Sequence, residues 1–390
     1  DVSLLIAYVS LISMAILPIF FGSFASLRTP KSVLKARKAL KKAKASKNDK
    51  GQEEDEEDDD DDDDEPAASE TLTSSDAWLF PVVGSCVLFS MYLVFKFLDR
   101  KWVDRILGSY FAFAGTGAVF KASLSIAAGV FGTRAWRSKL TYRLAITKRL
   151  SDEELQEEIR ARDKANKETL LPVVTFYTTR HWMCSNVIAL SLSLQAISLM
   201  GLDSFLTGSI MLGGLFVYDV FWVFGTEVMV SVARNFDAGP IKILFPKNLP
   251  DAATLFGHAF STFRAAPQWQ MTMLGLGDIV IPGIFVALSL RFDQHLYLST
   301  LSDSKLATFT RRDASFPKPY FTATLTAYIV GLITTMAVMH TFQAAQPALL
   351  YLSPACVGAV TLKSLQRSEW KRVWAWQDEE EEKQVMIAKE

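Results

Sequence analysis

Two aspartates stand where an aspartate is costly to keep. Asp219 lies in the run LGGLFVYDVFWVFG and Asp278 in MLGLGDIVIPG, each with apolar residues on both sides. In a membrane-crossing run, an Asp at mid-bilayer costs about 2.5–3.5 kcal/mol on insertion scales. A carboxyl retained at that cost marks a functional site. Two carboxylic acids on neighbouring spans can do acid–base work together. Close to one another in low dielectric they cannot both ionise cheaply, so the pair holds a single proton. The ionised member takes a proton from a bound water, and the protonated member donates a hydrogen bond to a peptide carbonyl. Water attacks, and the roles exchange as the amine leaves. Glu227 follows Asp219 by two helical turns, rotated by about a quarter turn at 3.6 residues per turn, and sits nearer the end of its span.

Gly275 and Gly277 flank Leu276 immediately before Asp278. Glycines there allow a close backbone approach and an unusual φ beside the carboxyl. An irregular, Gly-rich edge could also pair with an extended peptide by strand addition. That matters because a peptide bond inside a helix is shielded by its own hydrogen bonds until it is unwound. Taken alone, the two glycines read more simply as small residues for tight helix packing. A third element is QPALLYLSPA at 346–355. Pro347 suits the first turn of a helix, where its missing N–H costs nothing, and Ala348 is small enough for another backbone to come near.

These residues need apolar elements to hold them. Half of the 390 residues are apolar, and most charges are gathered into a few polar blocks. A span needs about 20 mostly apolar residues. Spans are expected at 2–24, 78–98, 106–131, 183–202, 205–233, 271–290, 320–342 and 347–362. A weaker fourth lies at 170–179, with Pro172 and four hydroxyl side chains. The expected fold is an all-α polytopic membrane protein of nine transmembrane helices, eight clear and the fourth weak. Its divisions are a first helix (1–27), a charged disordered cytosolic loop (28–77), helices two to five with a polar cytosolic loop at 132–169 (78–203), catalytic helices six to nine (204–365) and a cytosolic tail (366–390). The acidic run 53–65 and the basic run before it repel within themselves and read as a solvated linker. A surface helix is expected at 150–167, opened by Ser151.

Sidedness follows from basic residues near span ends. The loops after spans one and three and the tail are rich in Lys and Arg. With nine spans all three fall on the cytosolic side, which leaves the N-terminus lumenal or exterior. The run 2–26 is too long for a signal-peptide core and is expected to stay as a span. Cys86, Cys184 and Cys356 lie in or beside apolar runs and give no disulfide framework. Without an HExxH motif a zinc site is unsupported, and His181, His258, His295 and His340 read as interfacial. No cofactor and no nucleic acid is expected. Without an internal repeat, the common transporter folds are disfavoured. From the residues alone, a proton- or ion-coupled transporter and an inactive scaffold that holds membrane helices stay open beside the protease.

Three marks occur in order on spans six, seven and nine: Tyr218-Asp219, Gly275-Leu276-Gly277-Asp278, and Pro347-Ala348-Leu349 preceded by Gln346. The set resembles the presenilin-type GxGD aspartic proteases, and the longer strings resemble signal peptide peptidases in particular. The resemblance covers about 78–377. It implies a presenilin/signal peptide peptidase-like fold, with Asp219 and Asp278 catalytic and Pro347, Ala348 and Leu349 shaping the active site. It further implies residence in the endoplasmic reticulum with a lumenal N-terminus and cytosolic C-terminus. The implied substrates are membrane-embedded peptides, namely signal-peptide remnants and type II segments. A homo-oligomer and membrane quality-control partners are compatible with it.

Overall fold

The computed structural model describes residues 2–27, 71–97, 100–131, 182–226, 241–247, 270–302, 315–342 and 346–378, with isolated positions in 33–40, at 228 and in 305–309. Its helices are α1 (Val2–Ala25), α2 (Ser74–Phe97), α3 (Arg100–Phe131), α4 (Trp182–Leu199), α5 (Phe205–Phe224), α6 (Gly277–Leu298), α7 (Pro319–Phe342), α8 (Leu349–Gln366) and the short α9 (Trp370–Ala375). Strands β1 (Thr71–Leu72) and β2 (Gly201–Leu202) pair in parallel, and β3 (Lys242–Pro246) and β4 (Met271–Gly275) form an antiparallel pair.

Among the described residues six helices are long and apolar enough to cross a membrane: α1, α2, α4, α5, α6 and α7. The helices α3 and α8 fall on the expected third and ninth spans. The helical membrane class therefore holds. The expected fourth span, the acidic run, the surface helix at 150–167 and Glu227 lie outside the described residues.

Three boundaries differ from expectation. The sixth span was drawn to 233, whereas α5 stops at Phe224 with Gly225 as its C-cap; residues 227 and 229–233 lie outside the described residues. The seventh was drawn as helix from 271, but Met271–Gly275 is strand and the helix begins at Gly277. It then runs on to Leu298, past Arg291 and Asp293. Pro347 precedes α8 rather than entering it, and Ala348 is the N-cap.

The chain forms two compact units. The first comprises Asp1–Pro18, Leu88–Gln195 and Val228–Gly277. Here α3 meets α4 closely: a Cβ added at Gly115 would lie 2.7 Å from Ile188. The N-terminal turns of α4 rest on the hairpin, with the Trp182 ring 5.8 Å from that of Phe245.

The second comprises Ile19–Val87, Ala196–Glu227 and Asp278–Glu390. Ser204 opens α5, its hydroxyl accepting from the Thr207 N–H at 3.2 Å, which fills one of the vacant donors of a helix start. Helices then approach through small residues, as they do in lipid, where burial of apolar surface gives no drive. A Cβ at Gly208 would lie 2.6 Å from Phe285, one at Gly214 2.7 Å from Pro81, and one at Gly283 2.7 Å from Ile197. From Ile279 to Gln294 almost every side chain of α6 is buried.

Charges near the end of α6 are answered by distant groups. Arg291, 4% exposed, pairs with Asp378 of the C-terminal segment. Trp376 lies against Phe205 and Phe292 at 5.9 and 5.2 Å, and the Asp378 N–H donates to the Asp203 carbonyl at 2.7 Å. Glu369 accepts from Tyr320 at 2.7 Å and Arg367 at 3.0 Å. Burial pushes the Glu369 carboxyl up, but these two hydrogen bonds outweigh it and hold it below its usual range.

Asp293 is 1% exposed and accepts from the Tyr320 and Phe321 N–H groups at 3.2 and 2.8 Å. It therefore caps α7 from a different helix. Asp293→Ala strands two buried donors, each worth about 1–3 kcal/mol. The expected outcome is a thermal unfolding midpoint in detergent clearly below that of the parent, with Asp293→Asn, which keeps one acceptor oxygen, in between.

Candidate active site

Asp219 lies in the interior of α5 and is 5% exposed. Its carboxyl meets the backbone N–H of Leu349, the first residue of α8. The first N–H groups of a helix have no partner within it, and the helix dipole makes that end positive. Ala348, at the N-cap, has no side-chain oxygen to occupy them. The Leu350 and Tyr351 N–H groups turn back onto the Pro347 and Ala348 carbonyls at 3.3 and 3.1 Å, which leaves the Leu349 N–H as the one on the side of Asp219. This is a physical reason for a small, non-capping residue at 348.

Asp278 sits in the first turn of α6, partly buried. Its carboxyl is near enough to that of Asp219 for the two charges to interact. Tyr328 of α7 is fully buried, and its hydroxyl donates to the Asp278 carbonyl oxygen at 3.3 Å. The same phenol also lies within electrostatic range of the Asp278 carboxyl and of the buried Cys356 of α8. Helices α5, α6, α7 and α8 therefore all contribute to this place.

The structure brings together Asp219, Asp278 and Leu349 of the residues singled out above. Tyr218 has a packing role: its ring faces α2 near Gly84, and the next turn is tied by Trp222 Nε1 donating to Ser85 Oγ at 3.1 Å. Gln346 is partly buried just before Pro347. Tyr328 was missed, because one tyrosine in the apolar run TAYIVG carries no signal apart from packing.

In the first unit, Gly275 and Leu276 belong to the hairpin. Gly275 pairs with Lys242, and the Leu276 N–H donates to the Ile241 carbonyl at 2.9 Å. Gly277 takes no positive φ, and a Cβ placed there meets nothing within 4 Å. Neither backbone strain nor crowding in this structure demands glycine at 277; what it leaves is open space next to Asp278 in the chain.

The ladder shows which way each strand residue faces. The bonds Leu276 to Ile241 and Lys247 to Gln270 mark bonded pairs at both ends of the register. Bonded and non-bonded pairs alternate in an antiparallel ladder. Lys242, Leu244 and Pro246 therefore turn their backbone groups away from β4, and Met271, Met273 and Gly275 turn theirs away from β3. Among the described residues nothing bonds the outer backbone of β4 at Met273, whose side chain is also exposed.

A helical membrane fold that carries one aspartate on each of two apolar helices packed together has the form of an intramembrane aspartic protease. Comparison with known proteins agrees. Residues 64–380 match the family described as Signal peptide peptidase. The chain is 34% identical to the signal peptide peptidase of Homo sapiens over 379 residues, 96% of this chain and 84% of the relative. It is 35% identical to that of Mus musculus over 382 residues, 96% and 83%. It is 33% identical to a Schizosaccharomyces pombe protein named as a probable intramembrane protease, over 82% of this chain and 88% of the relative. The chain belongs to the signal peptide peptidase family. It is a multi-pass membrane protein and an aspartic endopeptidase that acts on substrates embedded in the bilayer.

Proposed function

We propose that Asp219 and Asp278 are the catalytic pair and that the start of α8 at Leu349 sits beside the first of them. The observation that carries this is that Asp219 and Asp278, buried and half-buried, lie on α5 and α6, which pack together at Gly208 and Phe285, while α8 packs on α5. The carboxyl that is ionised removes a proton from water, and the resulting hydroxide oxygen bonds to the peptide carbon. The carboxyl that is protonated donates to the carbonyl oxygen, then the C–N bond breaks and the amine leaves with a proton from the pair. The two carboxyls exchange these roles in the course of one turnover. Gly275, Leu276 and Gly277 form the approach to Asp278, with room at Gly277 for the substrate backbone. Gln346, Pro347 and Ala348 set the start of α8.

The outer edge of β4 is the place where an unwound substrate segment adds as a strand. Its free backbone groups at Met273 and Gly275 lie within a few residues of Asp278 in the chain, which supports this reading. Signal-peptide remnants, in keeping with the relatives named signal peptide peptidase, and type II membrane segments are the proposed substrates. Residence is proposed in the endoplasmic reticulum, with a lumenal N-terminus and cytosolic C-terminus, supported by the basic segments on one side. The test is direct. Purified protein in detergent, given a labelled signal peptide, should release two fragments, and an aspartic inhibitor that mimics the tetrahedral intermediate should stop it. Intact peptide under all conditions contradicts the proposal.

Tyr328 holds the Asp278 backbone rather than the reacting atoms. Tyr328→Phe keeps the ring and removes the hydroxyl. A drop of about three- to tenfold in kcat, with KM little changed, is expected from the loss of one buried neutral hydrogen bond. A change in KM alone would place the effect on substrate binding instead.

A further inference from the structure

An asparagine in a membrane span is expensive unless both ends of its amide are satisfied, and Asn186 of α4 satisfies them with a single residue of β3. Its Nδ2 donates to the Leu244 carbonyl at 2.7 Å, and its Oδ1 accepts from the Leu244 N–H at 2.9 Å. The side chain is 5% exposed, with Nδ2 3.8 Å from Met14 Sδ. A neighbouring strand would offer the same donor and acceptor to a non-bonded ladder position. The amide is therefore a one-residue substitute for a third strand. The next outward-facing residue of that edge, Pro246, has no N–H to offer. Trp182, one helical turn before Asn186, lies against Phe245 and fixes the same strand from the side.

We infer that Asn186 is a positioning residue for cleavage, closing the β3 edge and locking the hairpin so that substrate adds at β4 in one register. This rests on the strand-addition reading above. Leu244 faces Met273 across the ladder, so the amide that anchors Leu244 also sets the height of the free Met273 backbone along the hairpin. Asp278 follows five residues later in the chain. The bond presented to the catalytic pair is then determined by where Asn186 holds β3. A slip by one residue would invert every side chain on the strand. Loss of the amide should therefore blur the site of cutting as well as slow it.

The experiment compares Asn186→Leu, Asn186→Gln and Met273→Pro in the full chain, with a labelled signal peptide as substrate. Product ends are read by mass spectrometry and occupancy by binding of a dyad-directed inhibitor. Asn186→Leu is expected to bind inhibitor as the parent does, to lose about tenfold in kcat, and to cut at two or more adjacent bonds. Asn186→Gln, which sets the same amide on a stem one methylene longer, should also scatter the product ends, though less than Asn186→Leu does. If Asn186→Leu cuts at the parental bond at the parental rate while Met273→Pro fails, the inference is overturned and strand addition stands. If neither variant alters cutting, strand addition itself falls. Should Asn186→Leu fail to fold, Asn186→Gln decides: scattered product ends with intact inhibitor binding support control of register by the amide's position. Parental ends at the parental rate, despite the longer stem, overturn it.

Discussion

Asp219→Asn and Asp278→Asn should each reduce hydrolysis of a membrane-embedded peptide by at least about 10³-fold, the scale on which a positioned general acid or base contributes. Asn matches the volume of Asp and can still accept from the Leu349 N–H, so α8 keeps its seat on α5. What it cannot do is exchange a proton. Each variant should therefore accumulate, resist unfolding as the parent does and still bind peptide, with only the chemistry gone. The double variant should be little worse than either single one, because the two groups act as a unit. Full additivity of two large losses would show that they act independently.

Met273→Pro should cost about 10²-fold in kcat/KM. In this register the Met273 N–H points away from β3, so removing it breaks no bond of the hairpin. Proline is compatible with a strand edge of that kind. The loss should fall on the substrate, which no longer finds the donor it needs to stay extended. Thr272→Pro is the control of opposite sense. The Thr272 N–H faces Phe245, and its hydroxyl also donates to the Phe245 carbonyl at 2.7 Å. That variant should destabilise the hairpin and lower inhibitor binding as well. If Met273→Pro behaves like the parent, the β4 edge is not where substrate adds.

Much of this architecture could be read from the chain because a run of about 20 apolar residues is a strong signal. The first, second and eighth expected spans lie within a few residues of α1, α2 and α7. The limits of the two central spans could not be read in that way. Most of 226–233 is apolar despite Glu227, so hydropathy runs on past Gly225, the C-cap at which α5 ends. Met271–Gly275 is as apolar as the helix that follows. Its strand character comes from β3, whose nearest ladder partner, Pro246, lies 25 residues before Met271 in the chain. Arg291 and Asp293 read as the exit from a span, yet they are buried, because Asp378 and the first N–H groups of α7 meet them. Those partners are distant in sequence and leave no local trace.

The site divides in the same way. Asp219 and Asp278 announced themselves as charges in apolar runs. Leu349 stood out only as part of a motif, and its physical part, a helix start packed beside α5, needed the fold. Tyr328 gave no sign. Asn186 did give one, a polar amide inside a span, but its partner is a backbone, and backbones carry no sequence mark.

The central claim is that two carboxyls share one tetrahedral centre inside the membrane. The most direct measurement is a structure of the protein holding a hydroxyl-bearing mimic of that centre. Both the Asp219 and Asp278 carboxyls should lie at about 3 Å from the hydroxyl oxygen. A well-defined inhibitor that either carboxyl fails to touch would contradict the account.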